Sequence, residues 1–354
     1  MSTQVDGRPI LVTGGAGFIG CNIADRLAGE GHEVRVYDAL SRPGVERNLQ
    51  WLKERHGAKI TSVVGDVRDE DELVRAAADV KAVFHMAAQV AVTTILADPR
   101  EDFEVNVRGT VNLLDAVRVR REPVPVIFAS TNKVYGDFAD LPFTSTSDRY
   151  EPEGRLRDTG IDESRPLDFH TPYGCSKGAA DQYVLDYARS FGVPSAVLRM
   201  SCIYGPHQMG TEDQGWVAHF MIRAMRGEGV SIYGDGFQVR DVLHVQDAVA
   251  AYIAAWRRIG AVTGTAYNIG GGPANAVSLR QVLREIESVT GRRMRVEHGD
   301  WRAGDQRWYV SDTRRAMAEL GLRAPTPWRE GLRDLAGWLE RRNAEAEPSM
   351  AAGA

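Results

Sequence analysis

Short apolar runs recur along the first part of the chain, each running into glycine or a small polar residue. They are Ile10-Leu-Val-Thr13, Val34-Arg-Val-Tyr37, Ile60 to Val64, Ala82-Val-Phe-His-Met86, Val126-Ile-Phe-Ala129 and Ala196-Val-Leu-Arg199. Runs this short and this uniformly apolar read as strands buried on both faces, with helical stretches such as Cys21 to Leu27 between them. Alternating strand and helix predicts a parallel sheet covered on both sides. Ligands of such sheets gather beyond the carboxyl ends of the strands.

The alternation loosens after about residue 200. Helices are expected around Val217 to Gly227, Val245 to Trp256 and Ser278 to Thr290, separated by loops rich in glycine and aromatic residues. A further strand at Ala266 to Ile269 is placed to return to the main sheet. Glu345 to Ala354 has the small, polar composition of a frayed tail.

At 354 residues the chain can bury a large core, and its length suggests two lobes. The balance of 43 Lys and Arg against 48 Asp and Glu gives a net charge of −5, which favours neither nucleic acid nor an anionic membrane. Arg118-Val-Arg-Arg121 reads as a solvated helix end. No apolar stretch is long enough to span a bilayer and the polar start is no signal peptide, so a cytoplasmic protein is expected. The three cysteines, Cys21, Cys175 and Cys202, have no paired spacing and read as reduced thiols. The eight histidines show no HExxH or comparable ligand spacing, so no metal site is expected.

The first apolar run leads into Thr13-Gly-Gly-Ala-Gly-Phe-Ile-Gly20. Gly14, Gly17 and Gly20, between a strand and a helix, allow a tight turn, close backbone approach to a pyrophosphate, and anion binding at the helix N-terminus. Asp38 ends the second strand, where a carboxylate accepts from both ribose hydroxyls and repels a 2′-phosphate. NAD is therefore favoured over NADP, although Arg42 is close enough in sequence to accept such a phosphate. Asp66 and Val67, after the third strand, are candidates to border the adenine. The expected fold is α/β: a Rossmann-type doubly wound parallel sheet with a smaller C-terminal α/β substrate-binding lobe. Residues 1–200 would hold the dinucleotide, with a returning strand near 241–270. Residues 201–240 and 271–342 would form the lobe, and 343–354 a flexible tail.

Tyr173-Gly-Cys-Ser-Lys177 adds candidate chemistry. A tyrosine four residues before a lysine puts phenol and ammonium on one helical face, where the cation can favour phenolate. A tyrosine base working near neutrality needs a pKa well below its ordinary value of about 10. The pair alone would read as two surface residues; its neighbours change that.

Together with His85-Met-Ala-Ala-Gln89, Asn106-Val-Arg-Gly-Thr110 and Ser130-Thr131, these motifs resemble the extended short-chain dehydrogenase/reductase family, in its NAD-dependent sugar-nucleotide epimerase and dehydratase branch. Ser130 to Gly136, Asp168 to Tyr183, Asp213-Gln-Gly-Trp216 and Asp305-Gln-Arg307 are similar, within that branch, to the CDP-tyvelose (CDP-paratose) 2-epimerases. The resemblance implies a triad of Thr131, Tyr173 and Lys177: Thr131 binds the reacting hydroxyl, Tyr173 takes its proton, and Lys177 binds the nicotinamide ribose. It also implies cofactor contacts at Phe18, Ile19, Ala87, Ala88, Gln89 and Asn106.

Asn132 and Lys133 stand where dehydratases of this branch carry an Asp-Glu pair, and an amide and an ammonium cannot replace an acid and its conjugate base. Lys133 would contact substrate or form a structural ion pair. Arg240 and Arg302 match arginines that hold the nucleotide diphosphate, a role suited to paired guanidiniums; surface ion pairing is the other reading of each. Gln214 and Trp216 fall on the nucleotide-binding loop, although Trp216 also suits the lobe core. Cys202 stands where 4-epimerases often have Asn. The implied activity is epimerisation at C2 of a CDP-linked hexose through a 2-keto sugar. A 4-epimerase acting on UDP-hexoses and a non-catalytic NAD-binding sensor are the alternatives, and GDP or UDP could replace CDP. A homodimer or homotetramer is implied.

Overall fold

Seven strands form one parallel sheet: β1 (Ile10–Thr13), β2 (Val34–Asp38), β3 (Ile60–Val64), β4 (Ala82–His85), β5 (Val126–Thr131), β6 (Ser195–Met200) and β7 (Thr265–Ile269). Their order is β7-β6-β5-β4-β1-β2-β3. The computed structural model describes residues 7–90, 98–212, 214–302 and 304–346; Asp213 of the sequence motif and the tail from residue 347 lie outside the described residues.

Successive strand residues point into two different apolar cores, so the central runs are apolar at nearly every position instead of every second one, while the outer strands β2 and β3 carry Arg35, Thr61 and Ser62. Ile10 and Val12 share one core with Phe84, Ile127 and Ala129, closed by helices Phe18–Gly29, Val45–His56 and Val245–Arg257. Leu11 shares the other with Val83, Val126 and Phe128, closed by Glu70–Ala76, Gly109–Arg118 and Thr171–Phe191. The chain steps outward through β2 and β3, then returns to the other side of β1 with β4. That reversal opens a crevice at the carboxyl ends of β1 and β4.

A third core, including Val217, Phe220, Ile232, Leu283, Ile286 and Leu335, lies among helices Trp216–Arg226, Leu279–Thr290 and Trp328–Ala346. Strand Val239–His244 pairs in parallel with Cys202–Tyr204 and Trp308–Tyr309 and antiparallel with Ala276–Ser278. It runs through residues 240 and 241, where the sequence suggested a lobe boundary, so the backbone has no loop at that point. Ser278 caps the helix it was expected to open, its side chain and that of Gln281 forming a reciprocal capping box. No helix among the described residues is long and apolar enough to cross a membrane.

Candidate active site

The glycine turn lies at the crevice. Gly14 has φ +64°, and a β-carbon there would come within 2.7 Å of the Ala87 nitrogen. A β-carbon on Gly20 would be 2.1 Å from the Gly14 carbonyl oxygen. Only glycine lets the helix pack this close to the turn. Gly17 is the N-cap, with no side-chain cap and no acid in the first helical turn, so the first N–H groups are left for an anion. Phe18 and Ile19 form that turn, half-buried against the first core. The helix thus begins three residues before the expected Cys21, because the turn itself supplies its cap.

Asp38 is held rigidly. Its Oδ2 accepts from the Ala16 N–H at 3.0 Å and its Oδ1 from the Leu40 N–H at 2.9 Å, leaving lone pairs for ribose hydroxyls. Asp66 is paired: Arg68 clasps the carboxylate through Nε at 3.0 Å and Nη2 at 2.6 Å, and that hydrogen bonding holds it below the ordinary range and charged. Val67 is buried in the second core against Gly109. Neither presents a free polar side chain, so they can border a base only by position.

Ala87, Ala88 and Gln89 lie half-buried beyond β4. Asn106 clamps them, accepting from the Gln89 N–H at 2.9 Å and donating to the Gln89 carbonyl at 3.1 Å and to Ser176 Oγ at 2.9 Å. His85 ties this loop to the glycine turn. Thr110 donates to the Asn106 carbonyl at 2.6 Å, so it accepts from His85 Nε2 at 3.0 Å, and Nδ1 accepts from Thr13 Oγ1 at 2.6 Å. Burial, and then the Lys177 charge, push His85 down to about 3, which keeps the ring neutral.

Thr131 is the last residue of β5, which runs two residues past its expected end. Its hydroxyl donates to Asn132 Oδ1 at 3.3 Å and lies near enough to the phenol of Tyr173, carried in the first turn of Thr171–Phe191, to pull its pKa down. Lys177, one turn along, is buried with Nζ 4.2 Å above the Phe128 ring. Burial drives Tyr173 up to about 12 while the Thr131 hydroxyl pulls it down and Asp102 pushes it further up. Burial lowers Lys177 to about 7, opposed by Asp181. The expected depression of Tyr173 by Lys177 is therefore not produced by the protein alone, since burial disfavours both charged forms. A cationic ring beside the phenol fits this requirement.

The substrate-side candidates divide into two groups. Lys133 Nζ donates to the Gly304 carbonyl at 3.1 Å and lies 3.4 Å from Asp305 Oδ1, to which Arg240 Nη2 donates at 2.7 Å. Asn132 reaches the same loop through Gln306 Oε1 at 3.2 Å. Cys202 accepts from the Trp216 indole at 3.4 Å and lies in the fields of Arg240 and Lys133. Trp216 also packs on the lobe core, the second of its two expected places. Arg302 is separate: it stacks 3.9 Å over Tyr233 and donates to the Glu212 carbonyl at 3.3 Å. Its guanidinium and that of Arg240 bond different groups, although the Asp305 N–H donates to the Arg302 carbonyl at 3.2 Å. Gln214 is exposed in a tight turn with Thr211.

Asp305 and Gln306 belong to a motif that carries the resemblance but were given no role from the sequence, and neither were Asp181 and Asp102. Asp181 could have been, since it continues the spacing of Tyr173 and Lys177. Asp102 is buried with both carboxyl oxygens lacking a hydrogen-bond partner, and burial pushes it up to about 6. All three cysteines are free thiols.

Residues 10–270 match the NAD dependent epimerase/dehydratase family model. The chain is 40% identical to the CDP-paratose 2-epimerase of Salmonella typhi over 336 residues, 93% of this chain and 98% of that one. It is 30% identical to the UDP-glucose 4-epimerase of Thermotoga maritima, solved with UDP-glucose, over 94% of this chain and 99% of that chain, with TM-score 0.80. For the Thermus thermophilus UDP-glucose 4-epimerase in complex with NAD the values are 30%, 94%, 99% and 0.78. A match over most of the chain, on a sheet whose crevice suits a dinucleotide, makes this protein a member of the NAD dependent epimerase/dehydratase family, with NAD as its cofactor.

Proposed function

We propose that the protein inverts C2 of a CDP-linked hexose of the paratose and tyvelose type. The observation that carries this reading is an intact Thr131–Tyr173–Lys177 constellation, with Asn132 and Lys133 after Thr131, an amide and a half-buried cation, in place of a dehydratase's acid pair. The likeness to a CDP-paratose 2-epimerase along almost all of both chains supports it. When bound, NAD supplies a hydride acceptor that returns the hydride within the same turnover.

The chain's residues do the rest. The glycine turn and uncapped helix end hold the pyrophosphate, Asp38 the adenosine ribose, and Lys177 the nicotinamide ribose. Thr131 orients the C2 hydroxyl, and Tyr173 removes its proton and later returns it to the same oxygen. Arg240 and Arg302 bind the diphosphate, with Lys133, Cys202, Gln214 and Trp216 around the remainder of the substrate. Inversion requires the intermediate ketone to present its other face, so affinity has to reside in the nucleotide end and leave the sugar loose. We assign residues 1–200 with 241–270 to the NAD-binding part and 201–240 with 271–342 to the substrate lobe, the two sharing the strand Val239–His244. A cytoplasmic homodimer or homotetramer paired through helices accompanies this reading; exposed Tyr183 and Phe191 on Thr171–Phe191 suit such a face.

A UDP-hexose 4-epimerase is the second reading, favoured by the likeness to UDP-glucose 4-epimerases, because the same triad can address whichever carbon the sugar pocket presents. A panel of CDP-, UDP- and GDP-hexoses followed by proton NMR separates them. CDP-paratose converting to CDP-tyvelose is expected; UDP-glucose converting to UDP-galactose in its place would favour C4. Retained NAD with no turnover of any substrate would favour a sensor.

A further inference from the structure

Asp181 continues the helical face of Tyr173 and Lys177, one turn beyond the lysine. It is fully buried, and its two oxygens take four donors. Oδ2 accepts from Ser130 Oγ at 2.7 Å and from Arg199 Nε at 2.9 Å. Oδ1 accepts from Arg199 Nη2 and from Gln182 Nε2, each at 2.9 Å. Arg199, itself 4% exposed, donates from Nη1 to the Tyr135 phenol at 3.0 Å, which in turn donates to Asn268 Oδ1 at 2.8 Å.

This carboxylate joins three elements. It sits on the helix that carries Tyr173; Ser130 precedes Thr131 on β5, and Arg199 lies on β6. The phenol and the hydroxyl that have to meet are therefore pinned to each other by a buried polar contact on the residue next to Thr131. A second consequence is electrostatic. Lys177 is buried over a phenyl ring, and Asp181 is the group that favours its charged form. Among the described residues, the other titratable or charged groups around this pair include Arg199 on β6, neutral His85 on β4, Asp102 on the Pro99–Asp102 helix, which faces Tyr173, and Tyr252 on Val245–Arg257.

We propose that Asp181 is a positioning residue for the Tyr173–Lys177 pair, fixing the catalytic helix to β5 through Ser130 and presenting a buried negative charge to the Lys177 ammonium. The inference rests on the reading of Tyr173 as the base. Asp181→Asn removes the negative charge and leaves Arg199 as an uncompensated cation, and both changes disfavour the ammonium. Lys177 then loses its proton at lower pH, and the phenolate loses its cationic support. The basic limb of kcat/KM, where the ammonium is lost, moves down; on the phenolate the lost ammonium and the lost carboxylate act in opposite directions, so the signed change is read at Lys177.

The test uses the NAD-loaded full chain. Because an unpaired buried Arg199 is costly, the double variant Asp181→Leu, Arg199→Met is made alongside Asp181→Asn; it removes both charges at similar volume. The Lys177 ammonium is titrated by nitrogen-15 NMR without any sugar nucleotide, and the pH profile of turnover is measured separately. The expected result is a Lys177 titration lowered by about half a pH unit or more in Asp181→Asn and by less in the double variant, where the lost Arg199 charge offsets part of the lost carboxylate, with NAD retained and the basic limb of the profile moved down. An unchanged Lys177 titration in a folded variant overturns the inference. If the wild type turns over UDP-hexoses alone and the variant's Lys177 titration is still lowered, this inference stands and the C2 reading falls.

Discussion

Asp305→Asn tests how the substrate side is held together. One oxygen of this carboxylate takes three donors: Arg240 Nη2 at 2.7 Å, Lys133 Nζ at 3.4 Å and the Gln306 N–H at 3.0 Å. The Asp305 side chain is 24% exposed and that of Arg240 8%. Breaking a buried ion pair by removing one partner costs about 3–5 kcal/mol. Here Lys133 keeps the Gly304 carbonyl and Arg240 keeps the Val239 carbonyl, so a loss of about 2–3 kcal/mol is expected at neutral pH. Burial raises the Asp305 pKa, but Arg240 and Lys133 outweigh it and hold the carboxyl below its ordinary value. A depressed acid stabilises the fold above its unfolded pKa of about 3.9, and that contribution disappears as pH falls through the folded value. Urea unfolding of the NAD-loaded proteins should therefore show the full gap at pH 7 and a shrinking gap below about pH 4. A gap under about 0.5 kcal/mol at pH 7, or one that stays constant on acidification, would refute the reasoning.

Three further outcomes follow from the same geometry. Tyr173→Phe should lower kcat/KM by about 10²–10⁴-fold while NAD stays bound, read from turnover and from the NAD released on denaturation. Gly20→Ala places a β-carbon 2.1 Å from the Gly14 carbonyl oxygen, so the turn has to open; a loss of about 1–3 kcal/mol in a thermal melt and reduced NAD content after gel filtration are expected. His85 is pushed from 6.5 to about 3 by burial, so protonation of the unfolded chain removes stability as pH falls from 6.5 toward 3. His85→Gln should lose less stability than the wild type between pH 7 and pH 5, as compared by denaturation midpoints.

The fold was largely legible because its central strands are buried on both faces. Ala266 to Ile269 falls one residue inside β7, and even the edge strand β3, exposed at Thr61 and Val64, falls on Ile60 to Val64 because its residues are mostly β-branched. The glycine turn was legible because its spacing answers a backbone requirement. Contacts between residues distant in sequence were not: Asp305 meets Arg240 across 65 positions and Lys133 across 172, and no local periodicity carries such a pairing. The hairpin of Phe143–Ser145 and Tyr150–Pro152 was missed because its strands are short and polar. The Asp66–Arg68 pair was within reach, two residues apart, but an acid after a strand reads equally well as a ligand. Burial explains the remaining difference. The spacing of Tyr173 and Lys177 shows that they are neighbours, whereas only their environment shows that both charged forms are penalised.

The central claim is hydride transfer at C2, and proton NMR of the purified protein with CDP-paratose in D₂O tests it most directly. The account predicts CDP-tyvelose carrying no deuterium at C2, because the hydride stays on the enzyme throughout the turnover. Deuterium at C2 would contradict it and point to proton abstraction from carbon.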